Sequence, residues 1–419
     1  MTGVSRRGFL VGATGVGIGA GAVALAGCSR TEESLKHTAG TTSNTEQTAE
    51  LADAIVAFDG THQAGIATSA QAHLNMVGFN LKSGVAKQDL ANLLRLWTAD
   101  ARALCTAETP LGSLEPEMSV SPANLTVTCG LGRPIFERIG VEPPQWLRAI
   151  KAFEHDKLDP AWGQSDLVLQ ICSDDPVVAS HCLRHMVRSG SDYAEVKWLQ
   201  QGFSHAHGNY QPGETARNLF GQVDGTINPR SDEEFDAQVW IDEGPQWGQG
   251  GSAMVVRRVR MNLDTWEKLD RASREHSVGR KLSNGAPLTG EEEHDVADFS
   301  ATDKYGLPVI DKNSHMARAT APADHPEQKI LRRPFNYELP PDPRTPDQLS
   351  NAGQIFVCYQ KDPSLQFEPI QQRLDEADLL NEWLTHEGSA VYFCPPGTHA
   401  GSGEGDSWWA QSLLEQAGL

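Results

Sequence analysis

The sequence has no run of about 20 strongly apolar residues, the length a membrane-spanning helix needs. Its most apolar stretch, up to Gly27, is interrupted by Gly12, Gly15, Gly17 and Gly19, which argues against a transmembrane span. Beyond the N-terminus it lacks any cluster of Lys and Arg. With 35 basic against 55 acidic residues, a formal charge of -20 repels phosphate, so nucleic acid is excluded as a partner. Cys105, Cys129, Cys172, Cys182, Cys358 and Cys394 form no CxxC or other metal-ligand spacing. Several sit in apolar runs and read as buried free thiols. A glycine-rich nucleotide loop is also missing, which removes the main support for a doubly wound sheet.

What is present begins with an address. Ser5-Arg6-Arg7-Gly8-Phe9-Leu10, followed by a Gly/Ala/Val run, reads as a twin-arginine export signal over residues 1–28. It ends Leu25-Ala26-Gly27-Cys28, which resembles a lipobox and predicts lipidation of Cys28; the alternative is cleavage after Ala24-Leu25-Ala26 and release of a soluble protein. Residues 29–52, rich in Ser, Thr and Glu, cannot recover their ordering entropy by burial and read as a disordered tether. The expected place is the outer face of the cytoplasmic membrane, or secretion. Export of a chain already folded in a reducing cytoplasm argues against reading the six remaining cysteines as a disulfide framework.

The remaining chain, within a sequence of 419 residues that is 39% hydrophobic and 21% charged, is long enough for a double unit. Two regions share a rhythm. Strands are expected at Leu125–Gly130 and Leu167–Cys172, then a helix with Asp175 at its cap and Pro176 in its first turn. Later come a strand at Ser252–Arg257, a helix opening near Asp264 with Glu267 completing a capping box, and a strand at Gln354–Tyr359. A helix through Ile370, Leu374, Leu380 and Trp383 and a strand at Ala390–Phe393 close the pattern. This suits two α+β sandwiches packed together. Two polar stretches, 201–242 and 279–326, are long for compact domains and invite a functional reading.

The first stretch holds Asn218-Leu219-Phe220-Gly221-Gln222-Val223-Asp224-Gly225-Thr226, where glycines flank an acid and would let the backbone approach a large flat ligand. By spacing alone this is equally an Asp-Gly turn. The second is followed by Ile330-Leu331-Arg332-Arg333-Pro334 and contains Ser314-His315. A neutral imidazole can ligate haem iron, and arginine suits propionates or a developing negative charge on peroxide. Spacing does not choose His315 from fourteen histidines. His205 and His207 read as surface residues.

Asn218 to Thr226 resembles the GxxDG motif of dye-decolourising peroxidases. Similarity to that family continues through Gln63-Ala64-Gly65-Ile66, Met254–Met261 with Thr265-Trp266, and Val278-Gly279-Arg280 with Gly285–Gly290. It extends through Phe356–Gln360 with Phe367 and Pro369–Gln371, and Gly388 to Gly397, so that it covers the chain from about residue 55 onward. It is most like the secreted bacterial branch that includes iron deferrochelatases.

The resemblance implies two ferredoxin-like α+β units of the dimeric α+β barrel type, 53–225 and 226–419, with one haem b per chain in the C-terminal half. It implies that Asp224 and Arg332 are the catalytic pair, with Arg333 able to exchange places with Arg332, and that His315 is the proximal iron ligand. Gly225, Thr226, Ile227, Arg318 and Phe356 are implied to lie against the cofactor. In this chain Gln222-Val223 replace the family's usual aromatic and lysine, and Arg318 follows His315 by three positions where the family commonly has two. Asp298 and Glu291 to Glu293 are candidate partners for the His315 ring. The implied activity is reduction of hydrogen peroxide with oxidation of dyes, phenols or other bulky donors through a ferryl intermediate. The alternative is a deferrochelatase, or a haem- or iron-binding lipoprotein of an iron-uptake system. A lipid anchor is the only membrane contact expected, and the resemblance leaves room for iron-uptake partners and a homo-oligomer. A carboxylate base of pKa ~4 predicts an acid optimum.

Overall fold

The computed structural model describes residues 51–210, 214–343, 348–401 and 405–419. The export signal, Cys28 and all but the end of the tether lie outside the described residues. Among the described residues nine strands make one sheet: β1 His73–Leu81, β2 Thr126–Leu131, β3 Leu167–Ser173, β4 Ala194–Phe203, β5 Ser252–Met261, β6 Leu331–Arg332, β7 Phe335–Leu339, β8 Asn351–Gln360 and β9 Leu384–Cys394. The helices are α1 Lys87–Cys105, α2 Arg133–Ile139, α3 Pro176–Ser189, α4 Asp232–Gln238, α5 Leu263–Trp266, α6 Arg271–Val278, α7 His315–Ala319, α8 Phe367–Ala377 and α9 Gln411–Gln416.

The first half runs β4-β1-β3-β2 across the sheet and the second β9-β5-β8-β7, so both halves carry the same ferredoxin-like strand order. Leu131 pairs with Phe393 and Phe203 with Asn336 at the two junctions, which closes eight strands into a ring. Closure removes sheet edges that would otherwise stay open. The described residues belong to one compact unit, and the expected division after Gly225 falls in the long connection between β4 and β5.

Strand alternation then divides the side chains. Met254 and Val256 of β5 and Ile355, Val357 and Tyr359 of β8 join Met76, Val168 and Tyr392 in the ring's interior. The outward face of the first half is covered by α1 and α3. On the second half, the outward residues Arg257, Val259 and Met261 of β5, with Gln354 and Phe356 of β8, instead line a cavity whose other side includes residues of α7 and α8. Both faces of these central strands are covered, which explains their near-continuous apolar runs.

Two expected helices are corrected. Asp264 does not cap its helix: the cap is Asn262, α5 is a single turn, and the Asp264 carboxylate accepts from the amide of Leu349. The helix expected through Trp383 stops at Ala377, because Asp378 turns extended and caps a separate short helical turn over Leu379–Glu382. Asp175 does cap α3 as expected, accepting from Val177 N and Val178 N. The six cysteines are free and buried, with burial pushing the Cys105 thiol up to about 12 and Cys172 up to about 11.

Candidate functional site

The connection between β4 and β5 folds back on itself where Asn218 N donates to Gln222 O and Gly221 N donates to Asn218 O. Gly221 and Gly225 have φ of 79° and 134°, and a side chain on Gly221 would meet only Leu282, at 3.8 Å. The glycines are therefore required by left-handed backbone more than by a close-packed ligand. Gly225→Ala is expected to destabilise the fold by about 1–3 kcal/mol, the cost of such backbone for a residue with a Cβ. A denaturant midpoint equal to that of the parent protein would refute this.

The turn presents the Asp224 carboxylate to Arg332, whose Nη1 lies 3.0 Å from Asp224 Oδ1. Gln354 Nε2 and Asn218 Nδ2 donate to Oδ2 at 3.0 Å and 3.3 Å. Burial pushes the Asp224 pKa up, but Arg332, the two amides and His315 outweigh it and hold the carboxyl below the ordinary carboxylate value. The choice between the adjacent arginines is made by strand alternation. Arg332 pairs with Cys358, on the same face of β8 as the cavity-lining Gln354 and Phe356, and itself lines the cavity, whereas Arg333 points the other way, donating to Thr68 O and Gln71 Oε1.

His315 opens α7 behind its cap Ser314. Its Nδ1 lies 2.6 Å from Asp378 Oδ2, which leaves Nε2 as the ring nitrogen available to a metal. Burial alone would lower the His315 pKa; the Asp378 carboxylate outweighs that and raises it. The expected partners Asp298 and Glu291 to Glu293 are corrected to Asp378, which is brought there by the break after α8.

Asp224, Arg332, His315, Thr226, Ile227 and Phe356 line one cavity of about 530 Å³, within the usual ~300–1,000 Å³ of ligand sites. Gly225 is not among its lining residues. It borders a neighbouring cavity of about 750 Å³, which shares Asn218, Asp224, Arg332 and Gln354 with the first, so the two meet at the Asp224–Arg332 pair. Arg318 also lies outside the lining. Its guanidinium turns onto α8, donating to Arg373 O at 2.9 Å and pairing with Glu376 at 3.3 Å. Arg257 and His386 line the cavity without having been singled out from the sequence; burial lowers the His386 pKa to about 3.

The lining suits a flat, largely apolar group with polar ends. Phe220, Val259, Met261, Phe356 and Leu374 supply walls, and His315 offers one nitrogen to a metal. Thr226 Oγ1, Gln222 Nε2, and Nε and Nη1 of Arg257 are buried without hydrogen-bond partners, leaving capacity for the cavity's occupant. These residues fit a haem.

Residues 63–204 match the family "Dyp-type peroxidase, N-terminal" and residues 215–399 "Dyp-type peroxidase, C-terminal". The dye-decolorizing peroxidase of Thermobifida fusca is 34% identical, with 94% of each chain covered. The deferrochelatase of Escherichia coli K12 is also 34% identical, over 81% of this chain and 84% of its own. Among solved structures, the DyP-type peroxidase from Cellulomonas bogoriensis is 42% identical with a TM-score of 0.82, covering 87% of this chain and 99% of the other. A Rhodococcus jostii DypB variant in complex with heme, 19% identical at a TM-score of 0.59, shares the fold over 79% of this chain and 95% of its own.

Proposed function

The chain belongs to the Dyp-type peroxidase family, and on that premise we propose that the cavity beside Asp224 binds one haem b with His315 as its proximal ligand. The protein is a haem peroxidase: it reduces hydrogen peroxide and oxidises organic donors. The observation that carries the site assignment is that a paired acid and arginine and a carboxylate-bound histidine line the same cavity.

When bound, the haem would be held through its iron by His315 and would supply the redox chemistry. The protein's part is to hold that group, orient peroxide and move a proton. Among the described residues, amides engage both lone pairs of Asp224 Oδ2 whereas Oδ1 meets Arg332, so Oδ1 is the atom that takes the peroxide proton and returns it to the leaving oxygen. Arg332 stabilises the negative charge that develops as the O–O bond breaks. Gln354 and Asn218 fix the carboxylate. Asp378 fixes the His315 ring and increases its basicity. The test is titration of the apo-protein with haem, followed by peroxide and a phenolic dye. One equivalent giving a Soret band and peroxide-dependent dye bleaching is expected; no Soret band would refute the reading.

A second reading, removal of iron from haem, is favoured by the 34% identity to deferrochelatase. Iron-free porphyrin as product would support it, while dye oxidation with intact haem supports the first. For placement, the twin-arginine sequence and Leu25-Ala26-Gly27-Cys28 support export, a lipid on Cys28, and tethering at the outer face of the cytoplasmic membrane. Labelled palmitate should enter the protein and be lost in Cys28→Ala; equal labelling of both would overturn the anchor. Pull-down and light scattering test for iron-uptake partners and a homo-oligomer.

A further inference from the structure

Resting on the haem-peroxidase reading above, we propose that Met261 is a modification site: its thioether takes an oxygen atom from peroxide when no donor reaches the cavity, and the sulfoxide so formed switches the site off. Of the seven methionines, Met261 and Met316 line the haem cavity among the described residues. They stand on opposite walls. Met316 follows His315 on α7, whereas Met261 ends β5, whose outward residues Arg257 and Val259 share its wall with Gln354 and Phe356 of β8. Arg332 lines the cavity from β6, which pairs with β8 in its turn. Val259 pairs with Gln354, which donates to Asp224 at 3.0 Å, so Met261 is a diagonal neighbour of Gln354, about 7–8 Å away by sheet geometry. The thioether on the Asp224–Arg332 side of the cavity is therefore that of Met261.

The step needs nothing beyond the peroxide. One O–O bond breaks and one S–O bond forms. The sulfur lone pair supplies both electrons, so that peroxide is reduced to water and the thioether is oxidised to the sulfoxide, with no net proton. A donor that arrives first consumes the same oxidising equivalents, so donor and Met261 compete.

The product cannot sit where the thioether sat. Met261 is buried in an apolar cluster with Phe220, Leu263, Trp266 and Val278. The indole N–H of Trp266 is already given to Phe220 O, at 3.2 Å. A polar oxygen added there is buried at a cost and pushes the packing apart. Phe220 belongs to the turn that presents Asp224: its amide donates to Asn218 Oδ1 at 3.0 Å, and Asn218 Nδ2 donates to the Asp224 carboxylate. Displacement of Phe220 therefore reaches the acid, and peroxide in excess of donor limits its own consumption.

The experiment exposes the haem-loaded protein to hydrogen peroxide without donor and weighs its methionine peptides by mass spectrometry. Met254, on the same strand but facing the ring's interior, and Met118, partly exposed and outside the cavity, are internal references. One added oxygen is expected on Met261 in step with loss of peroxide reactivity, while Met254 stays unmodified. A phenolic donor present throughout should prevent it, and the apo-protein should gain oxygen on Met118 but not on Met261. Met261→Leu keeps the bulk of the side chain without the sulfur. It should hold its Soret band and its own starting rate through an exposure that disables the parent. Oxygen on Met316 in place of Met261, equal modification of Met261 in the apo-protein, or a Met261→Leu variant disabled as fast as the parent overturns this proposal alone. Absence of a Soret band in the parent overturns it together with the reading it rests on.

Discussion

Asp224→Asn is expected to lower kcat/KM for hydrogen peroxide by about 100- to 10,000-fold, the usual contribution of a positioned acid–base group. The amide preserves the shape of the side chain but cannot take a proton where Oδ1 now does, and its NH₂ would face either Arg332 or the amides of Gln354 and Asn218. The pH dependence follows from the same contacts. Burial raises the carboxyl's pKa, yet Arg332 and the two amides carry it below its ordinary value. The active base is the ionised form, present above that lowered pKa and lost as pH falls through it. The acid limb of the wild-type profile should therefore lie below the usual carboxylate value of ~4, which agrees with an enzyme able to work in acid. Arg332→Leu removes the strongest lowering influence, so its limb should move to higher pH while the rate drops by about 100- to 1,000-fold. Stopped-flow mixing with peroxide across pH measures both effects. An unmoved limb in Arg332→Leu would disconnect the two side chains in function.

The parts of this site that were legible in the sequence are those carried by contiguous motifs. Asn218 to Thr226 is one turn, so its spacing survives as geometry, and Ser314-His315 is a cap followed by a helix start. The strands β2, β3, β5 and β8 were legible because both faces are covered and their side chains are apolar in unbroken runs. Asp378 was hidden because the apolar spacing from Ile370 to Trp383 continues across a helix break; a capping residue inside a helical period was the available signal. Choosing Arg332 over Arg333 required knowing which side of β8 faces the cavity, which depends on pairing with residues far along the chain. The direction of Arg318 was hidden for a related reason: its position after His315 says nothing of α8, whose carbonyl and Glu376 hold it. The closed ring rests on pairings such as Leu131 with Phe393, at a separation no local pattern reports.

His315→Ala should abolish the wild-type Soret band in a haem titration of the apo-protein, and added imidazole, able to occupy the space left by the ring, should restore part of it. A band unchanged by the substitution would remove His315 from the iron. Asp378→Asn is the finer test, because Asp378 acts on His315 in two opposing ways. Its carboxylate, 2.6 Å from Nδ1, orients the ring and strengthens Nε2 as a donor, and loss of such a partner typically costs about 10- to 100-fold in affinity or activity. The same carboxylate raises the His315 pKa against the effect of burial, so in the apo-protein it also favours the protonated ring, which cannot ligate. Haem uptake by the parent should therefore weaken as pH falls through the raised pKa. In Asp378→Asn the affinity at neutral pH should be lower, yet its decline in acid should begin at a lower pH. Titrations at several pH values separate the two effects, since donor strength sets the plateau and the His315 pKa sets where the plateau ends.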